Sequence, residues 1–404
     1  MSRVGAAVSI ARTAVGSARA FGLNWIYDCL ASCTMQRSIY WWGIDTAVAG
    51  TARWTWIWPA LAWTILVVIL VLGGGGVIYS AAGAALFGTV FAAVYHAEMV
   101  AHRVGEPFGT LILALAVTVI ETALIVSVMI AAPAEKAGLA RDTVFAAVMI
   151  VCNGIVGACL LMGGVRHREQ GFQAQGASAA LAVLVALTSL TMVLPNLAAQ
   201  ELGPLYNKPQ LIFAGLVSLV LYFAFVFIQT VRHRDYFLPV KTSTPEEHAA
   251  LPDNRTTVLS AVLLVVSLVA IVGLAKALTP TVERGIDYLQ VPKAVVGTII
   301  AALVLLPEAV AAIKAAQSDR LQTSLNLALG SALATIGLTI PAVAAVSIVL
   351  GYRLELGLDT KELGLLVLTL LLSVITLGTG RTTVLQGVVH LVIFAAFLFF
   401  AVVP

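Results

Sequence analysis

The sequence predicts an all-α polytopic membrane protein of about eleven transmembrane helices, one N-terminal helix followed by two inverted five-helix repeats. Three observations lead there. The chain has 404 residues, of which 60% are hydrophobic and only 11% charged, with a mean hydropathy of +1.00; a soluble domain carries about 25% charged residues, so this chain lacks the polar surface that water demands. Apolar runs of bilayer-spanning length, about 17–25 residues, recur along the chain. The largest polar interruption, "RHRDYFLPVKTSTPEEHAALPDNR", falls between two groups of five such runs, and an odd number of spans per group turns the second group over relative to the first.

The elements follow in order. Residues 1–55 hold five Arg, two Asp and many small residues without a continuous apolar stretch, and predict a flexible or surface-lying tail. No compact apolar core precedes a cleavage site there, which argues against a signal peptide. All seven Trp lie between Trp25 and Trp63, and "RWTWIWPALAW" has the look of an interfacial aromatic belt at the first span. Spans are expected at about 56–73, 77–100, 108–132, 143–163, 177–196, 209–231, 257–278, 293–315, 322–350, 363–378 and 382–403. The domains are then a tail (1–55), a first helix (56–73), a first repeat (77–231), a loop (232–256) and a second repeat (257–404). With the N-terminus cytoplasmic, inside segments hold 15 of the chain's 23 Lys and Arg and outside segments hold 8, so the positive-inside rule favours N-in, C-out. The run Gly73 to Gly76 lacks a following Lys and is expected as a tight turn, not a phosphate loop.

Two runs carry a single carboxylate near their centre: Glu121 in "VTVIETALIV" and Glu308 in "VLLPEAVAAI". A charge at mid-bilayer costs a few kcal/mol or more. Each acid lies in the second span of its half, and each follows a Gly-Thr by nine or ten uncharged residues, in "GTLILALAVTVIE" and "GTIIAALVLLPE". The next spans also correspond, "MIVCNGIVG" with "LALGSALAT", pairing Asn153 with Ser331; amide and hydroxyl oxygens are neutral ligands for hard cations. Thr118 shares a helical face with Glu121, and Asn326 opens a small-residue face on the ninth span, which helix packing explains equally well. Pro307 precedes Glu308, so the helix is expected to kink and free the carbonyl of Leu303.

His96, Glu98, His102 and Glu106 lie near one end of the second span, in "YHAEMVAHRVGEP". Ala97 separates His from Glu, which excludes the zinc-protease signature; an entry funnel or pH sensor and a plain interfacial cluster remain open. His390 is expected as a packing residue. Cys152 and Cys159 fall within an apolar run, and Cys29 and Cys33 have no second pair or nearby His to make a zinc site. No GxSxG and no metal-spaced His/Asp cluster supports an intramembrane enzyme, and too few polar positions exist for a channel pore.

At "HAEMVAHRVGEPFGTLILALAVTVIETALIV" and "LLPEAVAAIKAAQSDRLQTSLNLALGSALATIGLTIPAV" the chain resembles the bacterial calcium/proton and sodium/proton antiporters of the calcium:cation antiporter superfamily, over about residues 60–404. The resemblance implies two inverted five-helix repeats plus one preceding helix, an ion path along the second and third helices of each repeat, and one acid per repeat as ligand and proton carrier. Carried over, the acids are Glu121 and Glu308, with Asn153 and Ser331 as polar partners. The vacuolar branch has Gly-Asn before the motif acid; here "VTVIE" and "LLPE" lack that amide, so the resemblance leaves the cation open among Ca2+, Na+ and K+.

A buried carboxylate is neutralised by a proton or by a bound cation, and an empty charged site is too costly to carry across. Competition for the same acids then makes exchange obligatory. The expected function is cation/proton antiport, with Ca2+ first and Na+ or K+ as the alternative. Its partners would be inorganic cations, protons and the bilayer, without nucleic acid, and no cofactor is expected.

Overall fold

The structure, a computed structural model, describes residues 52–105, 108–131, 137–198, 204–239, 253–289 and 293–403. Nearly all of the tail, including Cys29 and Cys33, lies outside them, as do Glu106 and most of the 232–256 loop.

The helices are α1 (Trp54–Leu72), α2 (Gly76–Val104), α3 (Phe108–Ala131), α4 (Leu139–His167), α5 (Ala174–Ala198), α6 (Lys208–Arg232), α7 (Asn254–Leu289), α8 (Lys293–Gln317), α9 (Leu321–Leu350), α10 (Thr360–Leu377) and α11 (Val384–Val402). Among the described residues nine helices are long and apolar enough to cross a membrane, and α8 makes ten when its two arms count as one span. α3 has a shorter apolar segment over Ala114–Ser127. The chain is thus an α-helical, multi-pass membrane protein.

Local chemistry explains most boundaries. Gly73 adopts φ 78° between α1 and α2, a conformation that favours glycine, so the glycine run is the turn expected of it. Asn207, Asp359 and Thr383 close capping boxes with Gln210, Glu362 and Gln386 at the starts of α6, α10 and α11. α7 overruns its expected end at 278 and continues through Pro280 to Leu289. The apolar run ends at Leu278, but polar residues continue a helix beyond it.

Departures from regular helix fall where polar residues gather. α4 contains a π-helical turn at Ile150–Ile155 and α9 one at Thr335–Thr339; such turns are frequent at functional sites. In α8 the arms Gly297–Leu306 and Glu308–Gln317 meet at 50°, a bend at Pro307 as covalent geometry requires.

α3, α4, α8 and α9 pack together at the centre. α4 is the most enclosed, with 89% of its most apolar window buried, against 17% for α11. α4 and α11 approach closely: a Cβ on Gly387 would lie 2.8 Å from the carbonyl oxygen of Gly157, so only glycine fits. α1 packs on α2 and α7.

Connections tie the two groups of helices crosswise. Strand β1 (Glu169–Gly171), between α4 and α5, pairs antiparallel with β2 (Arg381–Thr383), between α10 and α11. At another connection Leu205, between α5 and α6, bridges Glu355, between α9 and α10. The turn after α3 and the last turn of α8 are held in the same crossed way: Glu355 N–H donates to the carbonyl of Ala137, and Gln170 Nε2 to that of Ala316. These short ladders are the sole departure from the all-α expectation among the described residues.

Candidate ion and proton site

Glu121 on α3 and Glu308 on α8 are 0% and 2% exposed. Ser331 Oγ donates to Glu308 Oε2 at 2.5 Å, and Thr335 Oγ1 donates to Glu121 Oε2 at 2.6 Å. Both hydroxyls project from α9 four residues apart. Residues at that spacing stand about 5–6 Å apart on one helix face, so α9 holds the two carboxyl groups side by side. Each acid's second oxygen, Oε1, is buried without a hydrogen-bond partner among the described residues. The pair therefore offers two free carboxylate oxygens backed by two hydroxyl oxygens, a donor set that suits a hard cation or protons.

The hydroxyl row extends one turn further. Thr339 on α9 lies 2.8 Å from Thr122 on α3, oxygen to oxygen, so Ser331, Thr335 and Thr339 form a ladder at four-residue spacing facing Glu308, Glu121 and Thr122. Sequence reasoning reached Ser331 and missed Thr335, Thr339 and Thr122. The signal was the S-x3-T-x3-T spacing in "SALATIGLT", which gathers hydroxyls on one face of a helix.

Other expected residues have different surroundings. Asn153 is fully buried in the α4 π-turn. It donates through Nδ2 to Thr369 Oγ1 on α10 at 2.8 Å, and its Oδ1 lies 3.3 Å from His390 Nδ1 on α11. Its amide is thus engaged by α10 and α11 and by neither carboxylate. Asn153 Oδ1 can only accept, which places the ring proton of His390 on Nδ1. Thr118 returns its hydroxyl to the carbonyl of Ala114 within α3. Asn326 donates to the carbonyl of Phe237 at 2.5 Å and accepts from Gln322. The backbone of Leu303 and Pro307 is helical, and their side chains lie outside the described set.

The histidine cluster separates. His96 is fully buried, and its Nε2 lies 3.3 Å from the carbonyl oxygen of Thr55 on α1. That carbonyl is free because Pro59, four residues on, has no N–H to offer it. Glu98 and His102 are exposed, and Glu106 is outside the described residues. Cys152 and Cys159 are free and buried.

Residues 60–231 and 259–403 match the family described as sodium/calcium exchanger protein. The protein y4hA of Sinorhizobium fredii is 49% identical over 356 residues, covering 87% of this chain and 96% of that one. The sodium-potassium/proton antiporter ChaA of Escherichia coli is 34% identical over 317 residues, covering 78% and 85%. Among solved structures, that of native YfkE has a TM-score of 0.66 at 16% identity, covering 87% of this chain and 100% of that one. The crystal structure of the H+/Ca2+ exchanger CAX has a TM-score of 0.66 at 14% identity, covering 85% and 87%; these two likenesses concern the fold alone.

Proposed function

The chain belongs to the sodium/calcium exchanger protein family, and from that premise we propose that it is a cation/proton antiporter in which Glu121 and Glu308 are shared between the transported cation and protons. The observation that carries the reading is the pair of buried carboxyl groups held side by side by one helix, each with an oxygen that has no hydrogen-bond partner among the described residues.

The mechanism follows from electrostatics. A charged carboxylate away from water is costly, and the cost falls when a proton or a cation neutralises it. Two adjacent carboxylates double the cost of an empty site. The loaded forms, with protons or with cation, are the ones that cross between inward- and outward-facing arrangements, and this makes exchange compulsory. Ser331 and Thr335 serve both forms: a hydroxyl donates to a carboxylate and presents its own lone pairs to a metal ion. The bend at Pro307 leaves the Leu303 carbonyl without its helical donor.

The crosswise ties support the two-repeat organisation. A two-fold operation exchanging 77–231 with 257–404 carries β1 and β2 pairing into the Leu205 and Glu355 bridge, and the Gln170 to Ala316 bond into the Glu355 to Ala137 bond. Inverted repeats sharing a midplane site suit alternating access. The distribution of Lys and Arg supports a cytoplasmic N-terminus, and the likeness to the antiporter of Escherichia coli supports a bacterial inner membrane.

Two carboxylates with hydroxyl oxygens match the charge of Ca2+, which is the first reading of the cation. The likeness to ChaA, named a sodium-potassium/proton antiporter, favours Na+ or K+ as the second. The test is proton movement in everted vesicles bearing the protein, with CaCl2, NaCl and KCl added separately. Dye dequenching by one of these salts identifies the cation; no dequenching by any of them overturns antiport.

A further inference from the structure

A second polar feature lies away from the carboxylate pair. α5, α6 and α9 leave between them a crevice with room for about one water molecule, lined by Gly176, Gln229, Phe237, Gln322, Asn326 and Gly330 together with apolar side chains. Gln229 is 4% exposed, yet its amide has no hydrogen-bond partner among the described residues. The amide atoms keep accessible surface and line the crevice, so Gln229 can bond a ligand that enters it. Across from it, Gln322 Nε2 donates to Asn326 Oδ1 at 2.8 Å, and Asn326 Nδ2 donates to the Phe237 carbonyl at 2.5 Å. Each of those accepting oxygens keeps a second lone pair.

The inner end of the crevice is at Gly330, where an added Cβ would meet nothing within 4 Å. The next residue, Ser331, holds Glu308. Leu321 begins α9, so with a rise of about 1.5 Å per residue the lining descends roughly 13 Å from the end of the helix to Gly330. The matching flank of the other repeat, α4 against α10 and α11, is filled. There a Cβ on Gly154 would stand 3.2 Å from the ring of Phe394, and Phe394 stacks on Phe397. His390 and Thr369 engage Asn153 in the same flank. The glycine of one flank, Gly154, is packed against an aromatic ring, and that of its counterpart, Gly330, faces open space.

We propose that this crevice is the path by which the transported inorganic cation reaches Glu308 from the membrane face at which α9 begins. The inference rests on the antiport reading above. Its lining carries no formal charge, and neutral amide and carbonyl oxygens replace hydration water without trapping the ion.

The test is Gly330→Cys treated with a membrane-impermeant cationic methanethiosulfonate, added to everted or to right-side-out vesicles, with wild type as the control. Labelling is read as a mass shift and exchange as dye dequenching. The path predicts labelling from one face only, loss of exchange on labelling, and slower labelling when the transported cation is saturating. Gln229→Leu should raise the KM for the cation about fivefold, the loss of one neutral ligand, with kcat little changed. Absence of labelling from both faces overturns the path, as does labelling that leaves exchange and cation protection untouched. Labelling from one face of a protein that exchanges no cation even unlabelled refutes antiport instead, because the mass shift is read independently of transport.

Discussion

Thr335 on α9 donates its hydroxyl to Glu121 on α3 at 2.6 Å, joining residues 214 positions apart. One turn earlier the same helix donates from Ser331 to Glu308. α9 is therefore the element that sets both acids, and its hydroxyls are the first place to perturb the site without removing a charge.

Thr335→Val keeps the shape of the side chain and removes its hydroxyl. The loss of one hydrogen bond to a carboxyl group is worth about 1.5 kcal/mol, or about tenfold in an equilibrium constant. Thr335→Val is expected to raise the cation KM by about that factor, and Thr335→Ser to remain near wild type. Initial exchange rates against cation concentration decide it; equal KM for the Val and Ser variants would remove Thr335 from the site.

Protons and cation compete for the same carboxyl oxygens, which fixes the sign of the pH dependence. Lowering the pH on the cation side fills the acids with protons and raises the apparent cation KM; raising it does the reverse. Initial rates across a pH series at fixed opposite-side pH measure this. A cation KM that falls with falling pH contradicts a shared site.

His96 is expected to act on stability. His96→Leu leaves the Thr55 carbonyl buried without a donor, at a cost of about 1–3 kcal/mol, and lowers the melting temperature in detergent. Pro59→Ala supplies the missing N–H and should recover much of that loss in the double variant. The pH profile of exchange should be the same in all three. A shifted pH profile in His96→Leu would reinstate the histidine as a sensor.

Pro307→Ala restores an N–H to the Leu303 carbonyl and straightens α8. Stability is expected to rise by about 1 kcal/mol, the net value of one hydrogen bond, while exchange slows because Glu308 is re-aimed and a free carbonyl oxygen is lost. Melting and transport measured on the same preparation separate the two effects.

Much of this was legible in the sequence because the membrane simplifies it. A lone carboxylate in a long apolar run has few neutral explanations, so Glu121 and Glu308 stood out, and Ser331 followed from the correspondence between halves. The bend at Pro307 and the turn at Gly73 follow from covalent geometry. The partners of Asn153 were not legible: Thr369 and His390 lie 216 and 237 residues away, and nothing local to "MIVCNGIVG" distinguishes a ligand amide from one bonded to neighbouring helices. Thr335 was hidden for the opposite reason, since Thr is common in apolar helices and returns its hydroxyl to its own backbone, as Thr118 and Thr188 do here. His96 is buried while Glu98 and His102 are exposed, because proximity in sequence does not set burial and a helix turns about 100° per residue.

The central claim is that the cation and the protons share Glu121 and Glu308. The most direct measurement is cation-driven proton movement in everted vesicles bearing wild type, Glu121→Gln or Glu308→Gln at matched expression, each checked for folding by its melting curve. A shared site predicts that both variants remain folded and lose exchange, since Gln accepts neither the proton nor the ionic bond. Exchange at the wild-type rate in either variant would contradict it.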